Sequence, residues 1–272
     1  MNLKKALLAA TMLSLPVAAL AQPAPVSGLY IAGGVGANYL EPQNANLLGT
    51  VGSDKVSTNW GWATNGSLGW GFGNGIRVEA EVNYRNNAVN NFIAGNTFGR
   101  PAGGTIQQLG LMANAFYDIP FGVTLGGLPI GPYIGGGVGY AWADWDNVTA
   151  RTSATSRSRI SGSGGAFAIQ AIGGFAVGLD QFVPGLAFTT EYRFMYLDSP
   201  STTAVGQVTN AGIVNPATRS NYAPLFYNHS VLVGLRYAFN APRPVPPPAP
   251  AAAPAPARTF LVFFDWDRAD LT

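Results

Sequence analysis

The stretch GNGIRVEAEVNYRNN, residues 73–87, places Arg77, Glu79, Glu81 and Arg85 on one alternation and Ile76, Val78, Ala80, Val82 and Tyr84 on the other. Side chains of a β-strand point to alternate faces, so this segment has one charged or amide-bearing face and one wholly apolar face. In a soluble sandwich or barrel the apolar face points inward and the charges meet water. In an outer-membrane barrel the order is inverted: apolar side chains meet lipid and charges pack in the lumen. The remainder of the chain distinguishes the two.

Lys4 and Lys5 precede the apolar run ALLAATMLSLPVAAL, which ends at the small-residue site Ala19-Leu20-Ala21. This is the pattern of a secretory signal cleaved before Gln22, so residues 1–21 are expected to leave the mature chain. The formal charge of +2 then falls by the two lysines to +2 − 2 = 0. Neutrality gives no reason to expect a nucleic-acid partner. Cysteine is absent, which removes disulfides, thiol nucleophiles and cysteine zinc sites, and a single histidine removes histidine-rich metal sites. No metal and no cofactor is expected.

Charged residues make up only 10% of the chain, against about 25% in ordinary soluble domains. After the signal no apolar run is long enough for a helical span. A membrane protein without helical spans has to be a closed barrel, because lipid cannot satisfy a sheet edge.

Seven further segments share the alternation of residues 76–84. Residues 60–72 set Trp60, Trp62, Leu68, Trp70 and Phe72 against glycine and small polar groups. Residues 29–39, 107–118, 132–142, 166–177, 186–196 and 227–239 repeat the pattern, and no Asp, Glu, Lys or Arg falls on any apolar parity. Aromatics gather at strand ends, as in interfacial girdles. Connections alternate between long (40–58, 86–105, 143–164, 197–226) and short (73–75, 178–185), with 119–131 intermediate. The fold class is therefore all-β, an eight-stranded antiparallel transmembrane barrel over residues 22–240, with short periplasmic turns and long outer loops.

The charges on the inward parity, Arg77, Glu79, Glu81, Arg85, Glu191, Arg193 and Arg236, would meet in a lumen barely wide enough for side chains. They suit either an ion-paired plug or a selective pore, and near cancellation of their signs favours the plug, with mutual pairing offsetting burial. By the same face assignment Val78→Arg should cost about 2–4 kcal/mol near the membrane midplane, and a lumen change such as Asn83→Ser should be mild. Arg151, Arg157 and Arg159, in the third long loop, could meet lipopolysaccharide phosphates, although a solvated basic loop is the commoner explanation. His229 and Ser230 are adjacent in a strand and so point to opposite faces, which rules them out as a base and nucleophile pair; no enzyme is expected.

From 241 to 258 the chain reads APRPVPPPAPAAAPAPAR, a disordered polyproline spacer that could reach about 55 Å at about 3.1 Å per residue. It leads into TFLVFFDWDRADLT, residues 259–272. Together with the signal, the barrel and the ending NHSVLVGLRYAFN at 228–240, this resembles the OmpA family of outer-membrane proteins in its alphaproteobacterial form. The resemblance implies that residues 259–272 are the start of an OmpA-like peptidoglycan-binding domain, cut short before its ligand-gripping positions. It implies a structural role, linking outer membrane to peptidoglycan in full-length form, with peptidoglycan a partner only where that domain is complete. It further implies lipid, lipopolysaccharide and the barrel-assembly machinery as partners, the last through the terminal aromatic Phe239. A small diffusion porin and a surface adhesin are the alternatives.

Overall fold

The computed structural model describes residues 25–45, 54–93, 100–151, 156–210, 213–214 and 218–240. The signal, linker and terminal segments read above lie outside the described residues.

Eight strands follow the alternating segments: β1 (Ser27–Leu40), β2 (Gly61–Phe72), β3 (Ile76–Ile93), β4 (Arg100–Asp118), β5 (Leu128–Arg151), β6 (Ser156–Gly178), β7 (Leu186–Leu197) and β8 (Phe226–Ala238). Each is antiparallel to the next, and β8 returns to β1 from Tyr30↔Ala238 to Leu40↔Asn228, so the sheet closes. One hydrogen-bonded row can be followed around the ring from Leu29 through Trp70, Val78, Ala115, Gly136, Ala171, Phe194 and His229 to Tyr39. The row returns to β1 shifted by 39 − 29 = 10 residues. Eight strands with that stagger tilt by about 41° and lie about 8 Å from the barrel axis, for a rise of about 3.3 Å per residue and a spacing of about 4.8 Å.

The face assignment holds through the membrane-spanning band. Leu68, Val82, Leu111, Val138, Val233 and their parity partners stand exposed on the outside, while Arg77, Glu81, Arg85, Asn114, Gln170 and Arg193 are buried within. Between β2 and β3 the tight turn needs glycine, because Gly73 and Gly75 have φ of 75° and 90°. Asn74 Oδ1 accepts the Ile76 amide across it at 3.1 Å.

Where long loops were expected, much of the chain is strand. β3 and β4 continue into 86–93 and 100–105, and β5 and β6 into 143–151 and 156–164. Within 197–226, Thr202–Asn210 pairs with the start of β6 and with Thr218–Tyr222; within 40–58, Gln43–Ala45 pairs with Asp54–Thr58, which joins the end of β3. The physical reason is a second inversion of the faces. Above the band Val89, Phe92, Ile106, Trp145, Val148 and Ile160 are buried, and with Leu40, Val56, Leu197, Tyr222 and Phe226 they form one apolar cluster. Asp144 and Asp146 on the outside are exposed. Beyond lipid the outer face meets water, so the interior can be an ordinary apolar core. Register shifts at 88/91, 103/105 and 145/148 accompany the change and bring Val148 inward beside Trp145.

Candidate functional site

The lumen is filled in layers. Nearest the short turns, Arg77 donates from Nε and Nη2 to Asp118, the closest contact being 2.9 Å, and from Nη1 to Glu79 at 3.3 Å. The Tyr30 hydroxyl donates to Glu79 at 2.7 Å and accepts from Arg77 at 3.1 Å. The guanidinium also lies over the Phe116 and Tyr133 rings, at 4.7 and 5.1 Å from their centroids. Aromatic faces stabilise a cation that lumen water would otherwise have to solvate.

One step further in, Glu81 accepts from four side chains on four strands: Asn83 at 2.9 Å, Asn114 at 3.0 Å, Gln170 at 3.3 Å and Arg193 at 2.5 Å. Arg193 also donates from Nε to Glu191 at 2.7 Å, and Tyr133 donates to Glu191 at 2.7 Å. Glu81 is thus a hub reaching across the barrel. Every lone pair directed at the axis has a donor, which is what allows a carboxylate to be buried.

Above this sits an amide layer, in which the buried Arg85 is the cross-strand partner of Gln108. Asn38 donates to Asn87 at 2.7 Å and to Asn228 at 3.1 Å, Asn228 and Gln108 exchange bonds of 2.9 and 3.0 Å, and Ser230 donates to Asn38 at 2.7 Å. The apolar cluster around Trp145 caps it, with Trp145 edge-on to Tyr222 and Phe226.

The seven inward charges expected from the sequence all lie in the lumen, but their pairing is incomplete. Arg85 and Arg236 have no carboxylate within 4.0 Å among the described residues. Arg85 donates to Asn83 at 2.6 Å, and among the described residues its Nε and the Arg236 Nη1 have no protein partner. The charge count also omits Asp118, whose place on the inward parity was legible and which brings the balance to four cations and four anions. Tyr30, Tyr133 and the amides carry no charge signal, and only their parity could have pointed to them. Asn83 bridges Glu81 and Arg85, so its replacement by serine is expected to cost more than the parity alone implied.

Packing leaves little free volume. Arg77 and Arg193 side chains are 2% exposed and that of Glu81 is 0% exposed, although all three face the axis. An interior cavity of about 20 Å³, bounded by Arg77, Glu79, Tyr133, Glu191, Arg193 and Arg236, has room for about one water.

The other expected residues are dispersed. Arg151 and Arg157 are cross-strand partners at the adjoining ends of β5 and β6, and Arg159 is on β6, so all three belong to strands and not to the expected loop. The exposed Arg159 donates to Asn147. The side chains of Arg151 and Arg157 lie outside the described residues. Phe239 follows β8 at the short-turn rim, its amide bonded to the Leu29 carbonyl at 3.0 Å and its ring edge-on to Tyr237. His229 and Ser230 do face opposite ways. Ser230 is inside, whereas His229 on the outer wall contacts Tyr192 at 2.7 Å and Glu41 at 2.9 Å. Among the described residues no three His, Cys, Asp or Glu side chains gather as a metal site.

A closed ring of eight tilted strands, apolar outside and charged within, defines an outer-membrane β-barrel. The chain belongs to the outer membrane protein β-barrel domain family, whose model matches residues 6–239, and it resides in the outer membrane. A curated relative, an outer membrane protein of Gluconacetobacter diazotrophicus, is 40% identical over 291 aligned residues, covering 100% of this chain and 74% of the relative. Among solved structures, Neisserial surface protein A is similar over 79% of this chain and 99% of its own at 16% identity and a TM-score of 0.44. OprG from Pseudomonas aeruginosa is similar over 78% of this chain and 97% of its own at 13% identity and a TM-score of 0.48.

Proposed function

We propose that this is a structural, non-conducting barrel of the OmpA type, the membrane-embedded half of a tether to the cell wall, and not an enzyme. The observation that carries the non-conducting part is the burial of the lumen charges: a channel wide enough for hydrated ions would leave Arg77, Glu81 and Arg193 wet, yet they are almost inaccessible. The charge and amide layers then serve as a polar core, holding eight strands together from within where lipid gives no drive for inward apolar packing.

The tethering part rests on sequence. The polyproline spacer at 241–258 and the resemblance of residues 259–272 to the opening of a peptidoglycan-binding domain suit a barrel that spans from membrane to wall. Sedimentation of the longest form the cell makes with purified peptidoglycan tests it. Retention that is lost when everything after Asn240 is removed is the expected result, and absence of retention overturns the tether.

A further inference from the structure

We propose that the barrel's short-turn rim is partly sunk in lipid: the Val123–Ile130 hairpin and the Phe182 turn form an apolar wedge that inserts into the adjoining membrane leaflet on the β4–β7 side.

The register carries the Val123–Ile130 hairpin below the start of β3. At a tilt of about 41°, one strand step along a hydrogen-bonded row climbs about 3 Å and one residue along a strand rises about 2.5 Å. Ile76, Tyr117 and Ile134 share a row, so Ile134 stands about 6 Å above Ile76 by that geometry. From Ile134, β5 descends 134 − 128 = 6 further residues to Leu128, about 15 Å by the same rise. Leu128 therefore ends about 9 Å below Ile76, the residue where the polar Gly73-Asn74-Gly75 turn leads into β3. The hairpin partner strand, Val123–Leu125, goes down with it.

The chemistry of this projection continues the lipid-facing wall. Below the register shift at 145/148, even-numbered residues of β5 face outward, as Ile134, Val138, Tyr140 and Trp142 show by their exposure. Cross-strand partners share a face, so Val123 opposite Ile130 and Leu125 opposite Leu128 extend that same apolar surface downward. Leu125 and Phe182 are each 70% exposed and Phe121 62%. Residues 119–127 carry no charge, and residues 179–185 carry only Asp180, which accepts the Gly185 amide at 2.9 Å. Turns that stand in water are ordinarily polar. Continuity with the established lipid-facing band identifies the occupant as phospholipid acyl chains and headgroup carbons, with the barrel tilting or the leaflet thickening locally to meet them.

The absence of native cysteine makes the test clean. Leu125→Cys, Phe182→Cys and the polar-turn control Asn74→Cys are each labelled with an environment-sensitive fluorophore in the full chain, in lipid nanodiscs open to solution on both faces. Heat-modifiable gel migration verifies that each barrel is folded. Labels at 125 and 182 are expected to be quenched by nitroxides on the lipid chains and protected from aqueous iodide, with the reverse at 74. Iodide access at 125 and 182 equal to that at 74 overturns the proposal, since the rim then stands in water. Protection from both quenchers also overturns it, because a protein surface and not lipid then covers the wedge.

Discussion

Glu81→Ala removes the one carboxylate that four strands share. Arg193 loses its 2.5 Å partner, and Asn83, Asn114 and Gln170 lose an acceptor, all in a site where the Glu81 side chain is 0% exposed. Breaking a buried ion pair from one side costs about 3–5 kcal/mol, because the remaining charge stays desolvated. Glu191→Ala is the matched control. It also removes an Arg193 partner, but Glu191 is 14% exposed and Arg193 keeps Glu81, so the loss should resemble that of a charged hydrogen bond, about 1.5–3 kcal/mol. Urea unfolding in lipid vesicles, followed by tryptophan fluorescence, measures both. Replacing both partners, Glu81→Met with Arg193→Met, should recover part of the loss, since Arg193 is no longer stranded, while the 14% exposed Glu191 loses its cation and keeps the Tyr133 donor. The reasoning fails if Glu191→Ala costs as much as Glu81→Ala, or if the double variant is no better than Glu81→Ala alone.

Ala80→Arg, on the lipid face near mid-height, should cost about 2–4 kcal/mol, and Val78→Arg less, because the register puts Val78 close to the short-turn rim; equal costs in the same urea assay would contradict the depth assignment. A Cβ at Gly69 would run into the Tyr30 ring, whereas at Gly66 it meets open space. Gly69→Ala should therefore lower the temperature of the heat-modifiable gel shift and Gly66→Ala should leave it in place. Trp145→Ala, in the cluster above the membrane, should cost about 3–5 kcal/mol and raise amide exchange first at Gln43–Ala45 and Thr218–Tyr222, the segments around its partner Tyr222.

Alternation made the membrane-spanning half of this fold readable, because lipid imposes one rule on every strand. Residues 76–84 and 60–72 could be assigned a face without any partner known. The upper half resisted for the same physical reason. Once a strand leaves lipid its faces exchange roles, so Val89, Ile106 and Trp145, apolar on the inward side, break the pattern that had defined the strands below. Within the lumen, charge was visible and geometry was not. Which strand Glu81 faces depends on the stagger of the whole ring, and a stagger of ten residues is a property of closure that no single segment carries.

Single-channel recording in planar bilayers tests the closed lumen most directly. Side chains and not water occupy the axis, so the wild-type barrel should conduct rarely and in small steps. Glu191→Ala, which frees one donor of Arg193 and the Tyr133 hydroxyl, should admit water and conduct more often. Large, steady wild-type conductance that Glu191→Ala leaves unchanged would contradict the plug and identify the barrel as a porin.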